Sequence, residues 1–360
     1  MKPFHMIVDG RPLAVDKSFP VINPATEDVL AQCPQADSSH VNAAVAAAKR
    51  AFPAWSQQAD STRKEKMLAI ADAIEAHADE LAELLVLEQG KPLEGFAGLG
   101  AKFEVNGAVL WTRATAAMDL PVAVIQDNEE ARVEVRRRPL GVVASITPWN
   151  FPLMIAIWHI IPGLRAGNTV VLKPSEYTPL TTLRLAQIIN DILPPGVCNV
   201  IAGHGATGGL LSAHPDVAKI VFTGSTATGK KIMSAASTTL KRLTLELGGN
   251  DAGIVLPDTD VQAMAPKIFT TALLNSGQTC AALKRLYVHE DIYDEMCEAL
   301  AGIANSVTVG SGFDGADYGP VQNKAQYHRI CELVDEAKAQ GARILTGGEP
   351  LPGKGYFYPI

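Results

Sequence analysis

The spacing of apolar residues predicts helices in the first third of this 360-residue chain and alternating strands and helices after it. Residues 37–52 read as a capped, alanine-rich helix, and residues 61–90 repeat apolar positions every three or four residues. The second of these helices is expected to end at Gly90, with Pro92 just beyond it, as helix termini often do. A further helix is expected near residues 97–117.

Residues 119–139 change to a pattern typical of a hairpin. An apolar run over residues 122–125 is followed by the polar segment 127–130 and by the alternating run Val133-Glu134-Val135-Arg136. The alternation indicates that one face of this hairpin packs against something.

From Gly141 onward, short apolar runs rich in β-branched residues alternate with helical segments. Continuous apolar strands of this kind are typical of a parallel sheet that helices cover on both faces, so an α/β fold is predicted. A second strand–helix series begins after Gly249, which places a domain junction near Gly248-Gly249. The predicted strands are 141–146, 169–172, 199–201, 219–222, 253–256 and 285–288, and the predicted helices are 181–193, 205–212, 261–275 and 291–304.

Composition narrows the class of protein. A chain of 360 residues with 47% hydrophobic and 19% charged residues is typical of a globular protein of about two domains. The net charge of −7 argues against a nucleic-acid-binding surface. No apolar run is long enough for a membrane helix, and the first residues lack the apolar region of a signal peptide. Five widely spaced cysteines without a CxxC pattern favour reduced thiols in the cytoplasm over a disulfide framework or a metal site.

Three polar residues in tight turns are candidates for covalent catalysis. Cys280 closes the segment Asn275-Ser276-Gly277-Gln278-Thr279-Cys280, and Glu246 precedes Leu247-Gly248-Gly249. A thiol and a carboxylate are the parts needed for a nucleophile and a separate general base. Asn150 lies between Pro148 and Pro152, where its amide would suit an oxyanion. Taken singly, the cysteine is more often a small hydrophobe, the glutamate a core-edge carboxylate and the asparagine a turn former.

Two further segments resemble ligand-binding turns. Residues 224–229 lie between a predicted strand and the start of a helix, where backbone N–H groups can bind a pyrophosphate. Their GxxxxG spacing differs from the GxGxxG fingerprint of dinucleotide sites, and it also fits a plain turn. Lys173 and Glu176 come at a strand end. If a dinucleotide binds there, the carboxylate would accept hydrogen bonds from ribose hydroxyls and repel a 2′-phosphate, which favours NAD over NADP. Lys173 could pair with such a phosphate, so NADP stays an alternative. The two residues also fit an ordinary ion pair on the surface.

Four segments in this order resemble the NAD(P)-dependent aldehyde dehydrogenase family, and the likeness extends from residue 23 to the C-terminus. They are residues 147–152 (TPWNFP), 222–230 (FTGSTATGK), 246–250 (ELGGN) and 275–280 (NSGQTC). The resemblance implies a Rossmann-like NAD-binding domain over 1–118 and 140–247, an oligomerisation hairpin over 119–139 and a partial catalytic domain over 248–360. It also implies a homodimer or homotetramer for the full-length form.

The same resemblance assigns roles to individual residues. Cys280 would be the nucleophile, Glu246 the base for hydrolytic deacylation, and Asn150 the oxyanion donor together with the Cys280 backbone N–H. Phe151, Met154 and Trp158 would line an aldehyde tunnel, although such residues at helical spacing are usually core. NAD, or else NADP, would bind to Ile146, Thr147, Pro148, Trp149, Lys173, Ser175, Glu176, Gly205, Gly209, Phe222, Thr223, Gly224, Ser225, Gly229 and Leu247.

The chain also departs from the family pattern. It stops where the family normally continues into a segment whose glutamate holds the nicotinamide ribose, and Lys284 stands where many members have a smaller residue. Two alternatives therefore stay open: a thiol esterase that uses Cys280 and Glu246, and a catalytically silent structural or partner subunit. Aliphatic, aromatic and semialdehyde substrates all suit an uncharged tunnel.

Overall fold

The computed structural model describes residues 3–360. Its strands are β1 Met6–Val8, β2 Arg11–Leu13, β3 Ser18–Ile22, β4 Val29–Pro34, β5 Ala123–Asp127, β6 Arg132–Val135, β7 Val142–Ile146, β8 Thr169–Lys173, β9 Cys198–Val200, β10 Val217–Gly224, β11 Arg242–Leu247, β12 Asp251–Val255 and β13 Leu283–Val288. Its α-helices are α1 Ser38–Ser56, α2 Asp60–Ala76, α3 Ala78–Gln89, α4 Ala101–Ala117, α5 Pro152–Arg165, α6 Leu180–Asn190, α7 Gly205–Ala213, α8 Thr226–Ser237, α9 Val261–Leu273, α10 Tyr293–Ser306 and α11 Lys324–Ala339.

The central sheet has seven strands in the order β11-β10-β7-β8-β9-β1-β2. The five from β11 to β9 run parallel, as predicted for the strand–helix series, whereas β1 and β2 extend the sheet antiparallel. All residues of β7 and β8 are buried, which explains their uninterrupted apolar and β-branched sequences. Helices α1, α5, α6, α7 and α8 pack against this sheet.

The helix predicted over 61–90 is wrong as one element, because it consists of α2 and α3. His77 has φ −109° and ψ 19° and ends the first helix, while its Nδ1 lies 2.8 Å from the Ala73 carbonyl oxygen. Helix α2 buries methionine and isoleucine and α3 buries leucine and valine, each at helical spacing, so the altered backbone at one residue does not interrupt the apolar period. The predicted end at Gly90 is confirmed, since this glycine has a left-handed φ of 94°. Helix α4 begins at Ala101 rather than at 97, after a short 3-10 turn over Phe96–Gly98.

The predicted hairpin is present as the antiparallel pair β5 and β6. The apolar side chains of both strands are exposed, so the rest of the chain does not supply the surface against which one face is expected to pack. The antiparallel pair β3 and β4 was not predicted.

A second, smaller unit follows β11. Strands β12 and β13 form a separate parallel pair, and helices α9 and α10 pack with them around Val255, Val261, Ala265 and Met296. These residues form an apolar cluster distinct from the large cluster around the seven-stranded sheet. Helix α11 was missed in the sequence, and it has no buried residue. Within residues 3–360, no helix has both the length and the apolar character that crossing a membrane requires.

Candidate active site

A cleft of about 460 Å³ opens at the carboxyl ends of the parallel strands. This is where open α/β sheets bind ligands. Most of the predicted cofactor residues line the cleft: Ile146, Thr147, Pro148, Trp149, Lys173, Ser175, Glu176, Gly205, Gly209, Phe222, Thr223, Gly224 and Ser225. Tyr177, Gly208, Ser212, Thr228, Lys231, Ile232 and Ala235, which the sequence analysis did not name, also line it.

Two of the predicted cofactor residues, Gly229 and Leu247, are not part of the cleft lining. They pack against each other instead, because a Cβ added to Gly229 would lie 2.9 Å from Leu247 Cδ2. In this structure Gly229 therefore lets α8 approach β11 closely, which is the packing role that the sequence left open for a glycine in this turn.

Polar groups in the cleft suit a dinucleotide. Helix α8 begins at the cleft with Ser225 as its N-cap, whose Oγ accepts a hydrogen bond of 3.2 Å from the Thr228 backbone N–H. The N-terminus of such a helix favours phosphate groups. The Thr147 hydroxyl is buried without a hydrogen-bond partner among the described residues, so it is left available to a ligand. These residues therefore fit the predicted cofactor.

Lys173 and Glu176 form a pair at the end of β8. The Lys173 ammonium group is buried and donates to the Pro174 carbonyl at 2.9 Å and to Glu176 Oε2 at 3.5 Å. Burial lowers the pKa of Lys173, whereas Glu176 opposes that change. The second carboxylate oxygen, Oε1, lies 3.9 Å from His204 Nδ1, and Glu176 is part of the cleft lining. The pair is thus part of a ligand cleft rather than of an open surface.

Asn150 is hydrogen-bonded to the loop that carries Cys280. Its Nδ2 donates to the Gln278 carbonyl at 2.9 Å, and its own carbonyl accepts from Asn275 Nδ2 at 3.0 Å. The structure thus joins the predicted oxyanion donor to a residue that lies two positions before the predicted nucleophile. An amide nitrogen carries two hydrogens, so Asn150 retains one donor beyond the bond to Gln278.

The exposure of the cysteines separates a reactive candidate from structural ones. Cys33 and Cys198 are buried, and burial raises the pKa of both thiols, that of Cys198 to about 12. Such thiols stay protonated and unreactive. Cys297 and Cys331 are half-buried, whereas Cys280 is exposed.

Glu246 lies near the carboxyl end of β11, where it pairs in register with Thr223 of the cleft. Its side chain is exposed, and the neighbouring Leu245 and Leu247 do not enclose it. Farther along the chain, Asp251 receives a hydrogen bond of 3.0 Å from Lys284 Nζ, which also donates to the Cys280 carbonyl at 2.9 Å. Lys284, the departure from the family pattern, thus ties the segment after Glu246 to Cys280.

Two of the predicted substrate residues, Phe151 and Met154, lie at the start of α5, and the third, Trp158, lies in the middle of this helix. Phe151 and Met154 are buried in a small apolar cluster with Ile155 and Leu274. Trp158 is 40% exposed, and its ring centroid lies 5.4 Å from that of Trp111.

Two buried polar groups next to the site were not identified from the sequence. Lys91 and Glu104 form a buried ion pair that contacts the Asn150 turn and the start of α5. His159 lies between Ser145 Oγ, at 3.0 Å, and Thr223 Oγ1, at 2.9 Å. Burial lowers the pKa of His159 to about 4, so this imidazole is neutral at pH 7. No local motif marks these residues, because lysine, glutamate and histidine side chains are mostly not fully buried.

Comparison with known proteins agrees with this geometry. The profile of the aldehyde dehydrogenase family matches residues 13–359. A probable aldehyde dehydrogenase of Pseudomonas sp is 40% identical over 99% of this chain and 72% of its own length. A phenylacetaldehyde dehydrogenase of Pseudomonas fluorescens is 41% identical over 99% and 73%. The structure of an aldehyde dehydrogenase from Bacillus cereus in complex with NAD⁺ superposes with a TM-score of 0.95, at 35% identity over 99% of this chain and 74% of that chain.

The match extends over nearly all of the sequence and includes the α/β fold with its Rossmann-like parallel core. On this basis, the chain belongs to the aldehyde dehydrogenase family of NAD(P)-dependent oxidoreductases.

Proposed function

We propose that this protein oxidises an aldehyde to a carboxylic acid with NAD⁺ through a thioester on Cys280. The observation that carries the proposal is the hydrogen bond of 2.9 Å between Asn150 Nδ2 and the Gln278 carbonyl. It joins an amide donor beside the cleft to the loop of an exposed thiol, although the two segments are far apart in the sequence.

The chain's own residues supply the covalent steps. The Cys280 thiolate attacks the aldehyde carbon, and the resulting oxyanion accepts hydrogen bonds from the remaining Asn150 N–H and from the Cys280 backbone N–H. When bound, the nicotinamide ring supplies the acceptor for the hydride that leaves this thiohemiacetal. Glu246 then takes a proton from water, the hydroxide attacks the thioester carbonyl, and the Cys280 thiolate leaves as the carboxylic acid forms.

NAD is the preferred cofactor in this proposal, and the residues that line the cleft would hold it. Glu176 is part of the cleft lining, where its carboxylate accepts hydrogen bonds from ribose hydroxyls and repels a 2′-phosphate. The Lys173 ammonium group is engaged by Glu176 and by the Pro174 carbonyl, which leaves it poorly placed for a phosphate. Calorimetry with NAD⁺ and NADP⁺ tests the preference, and tighter binding of NADP⁺ would refute it.

We propose an uncharged aldehyde as the substrate, contacted by Phe151, Met154 and Trp158. Phe151 and Met154 lie at the N-terminal end of α5, next to Asn150, and Trp158 lies in the middle of the same helix. A relative named phenylacetaldehyde dehydrogenase supports an apolar substrate group. A panel of aliphatic, aromatic and carboxylate-bearing aldehydes tests this part, and a preference for the charged members would contradict it.

We also propose a division into domains and a homo-oligomeric assembly. The separate apolar cores support a cofactor-binding unit over 1–118 and 140–247 and a catalytic unit over 248–360. The exposed apolar side chains of β5 and β6 support a homo-oligomer that assembles through the 119–139 hairpin. Five free thiols support residence in a reducing compartment such as the cytoplasm.

The decisive experiment is NADH formation with a simple aldehyde. Wild-type protein and the Cys297→Ala control are expected to form NADH, whereas Cys280→Ala and Cys280→Ser are expected to lose the activity. Full activity in Cys280→Ala would refute the thioester route. Ester hydrolysis by the wild type, combined with failure to bind NAD⁺ or NADP⁺, would instead support a thiol esterase.

A further inference from the structure

A buried ion pair lies beneath the turn that carries Asn150. The side chains of Lys91 and Glu104 are 2% and 0% exposed. Charged side chains are almost never buried so completely unless they are paired. As a stabilising element, such a pair brings little or no gain over apolar residues of the same size. Its presence is better explained by what its two charges hold in place.

Glu104 holds the first turn of α5. Its Oε1 accepts hydrogen bonds from the backbone N–H groups of Leu153, at 2.9 Å, and Met154, at 3.1 Å. The N-cap residue, Phe151, makes no side-chain cap bond. Glu104 therefore satisfies donors that the start of a helix leaves free, and it does so from a different helix, α4.

Lys91 holds the residue before that turn. Its Nζ donates to the Asn150 carbonyl at 3.0 Å and lies 4.0 Å from the centroid of the Phe151 ring. Asn275 donates to the same carbonyl from the nucleophile loop. Because the side chain of asparagine has only two rotatable bonds, fixing the backbone of Asn150 fixes most of the position of its amide.

We infer that the Lys91–Glu104 pair positions the Asn150 amide for oxyanion stabilisation during acylation of Cys280. This inference rests on the proposed function. Lys91 and Glu104 are positioning residues and do not contact the substrate. Their effect passes through Asn150, whose donor must lie within hydrogen-bond distance of the oxyanion, and a displacement of about 1 Å in such a group costs on the order of 10²-fold in rate.

The double variant Lys91→Met/Glu104→Gln tests this role without leaving a buried charge unpaired. The glutamine introduced by Glu104→Gln keeps a carbonyl oxygen for the N–H groups of α5, whereas Lys91→Met removes the donor to Asn150. We expect kcat to fall by about 10- to 100-fold while KM for NAD⁺ changes by less than about 2-fold. In an Asn150→Ala background the same two changes should cause almost no further loss, because residues that act through one group are not additive.

Arg165→Met is the matched control. Arg165 is also buried and paired, with Asp60, but it lies at the opposite end of α5. We expect this variant to be less stable than the wild type, with kcat per folded molecule retained. If Arg165→Met lowers kcat as much as the double variant does, the effect on catalysis is a general consequence of destabilising α5, and the inference is overturned.

A crystal structure of the double variant provides a readout that does not depend on activity. We expect the Asn150 amide to move away from the Gln278 carbonyl. An unmoved amide, or an unchanged kcat in the active enzyme, would overturn the inference. If the wild type oxidises no aldehyde at all, the proposed function fails, whereas displacement of the amide would still show that the pair positions Asn150.

Discussion

At the scale of single residues, the loop before Cys280 has an unusual backbone. Asn275, Ser276 and Gly277 have φ values of 57°, 56° and 74°, and each left-handed non-glycine residue costs roughly 1–2 kcal/mol. Side-chain hydrogen bonds oppose this cost, among them Thr279 Oγ1 to the Leu274 carbonyl at 2.8 Å. Strained backbone that the surroundings hold in place is typical of functional sites. These hydrogen bonds constrain the backbone of the loop just before Cys280.

The Glu246 carboxylate is exposed and therefore accessible to water, and its proposed role as the base leads to a prediction. In Glu246→Gln, acylation should proceed while hydrolysis of the thioester is slowed, because only the second step needs a proton acceptor for water. We expect a burst of about one NADH per site, followed by a steady-state rate lowered on the order of 10²–10⁴-fold. Stopped-flow absorbance measures both phases. Loss of the burst together with the steady state would contradict this division of roles.

Glu88 offers a prediction about stability and pH. Burial raises its pKa from 4.5 to about 7, although its oxygens accept the backbone N–H groups of Leu180 and Thr181 at 2.6 and 2.8 Å. A raised carboxyl pKa means that the folded state binds a proton more tightly than the unfolded state does. The resulting contribution to the free energy of unfolding is fully present below pH 4.5 and is lost as the pH rises through about 7. The full effect is about 3 kcal/mol.

Glu88→Gln should therefore make the free energy of unfolding depend less on pH between about 5 and 7.5. Urea unfolding of the wild type and the variant at the two ends of this pH range measures how much the free energy of unfolding changes. Glu65→Gln, which removes an exposed carboxylate, is the control. An equal pH dependence in Glu88→Gln and in the wild type would show that Glu88 titrates as an exposed group does.

The sequence marks candidate site residues in turns, whereas it does not mark the buried groups that hold those turns. Cys280, Asn150 and Glu176 stand at strand ends or glycine-rich turns, where the local sequence marks a site. Lys91 and Glu104 read as ordinary solvent-facing charges, since only tertiary packing, which brings the loop after α3 and helix α4 against the start of α5, removes them from water.

At the scale of elements, the approach of α8 to β11 depends on one glycine. We predict that Gly229→Ala lowers stability by about 1–3 kcal/mol and weakens NAD⁺ binding, because its Cβ would lie 2.9 Å from Leu247 Cδ2 and push α8 away from the sheet. Leu247→Ala should partly rescue Gly229→Ala in the double variant. Thermal unfolding and calorimetry with NAD⁺ measure both quantities.

Gly209→Ala is the control for this packing effect, since a Cβ at that position meets no atom within 4 Å. Its stability is expected to match the wild type. If Gly229→Ala is as stable as Gly209→Ala and binds NAD⁺ normally, the close approach of helix and strand is not needed.

The elements differ in how well sequence pattern predicts them. Strands β7 and β8 were predicted because burial on both faces requires continuous apolar runs. The break between α2 and α3 was missed because it changes the backbone at His77 without changing the apolar period. Helix α11 was missed because it buries no residue and therefore needs no marked apolar face.

At the scale of the whole molecule, the alternation of strands and helices predicted the parallel strands of the central sheet, but not the two antiparallel strands that extend it. Strands β1 and β2 are three residues each and are added antiparallel beyond β9. A strand of three residues is too short to show an alternation of apolar and polar positions. The place of these strands depends on the edge strand β9, far along the chain, as the hydrogen bond from the Asp9 N–H to Asn199, 190 residues away, illustrates. Long-range pairing of this kind is set by tertiary packing.

The hairpin of β5 and β6 leads to a prediction about assembly. Val124, Ile125, Val133 and Val135 are 48%, 66%, 43% and 48% exposed on one two-stranded element, which is too small to be stable alone. We expect these side chains to be covered by a second copy of the chain, so Val124→Lys/Ile125→Lys should shift the protein toward monomers. Val29→Lys, at a valine of similar exposure on β4, should leave assembly unchanged. Light scattering after size exclusion measures both, and a wild type that is already monomeric would refute the hairpin interface.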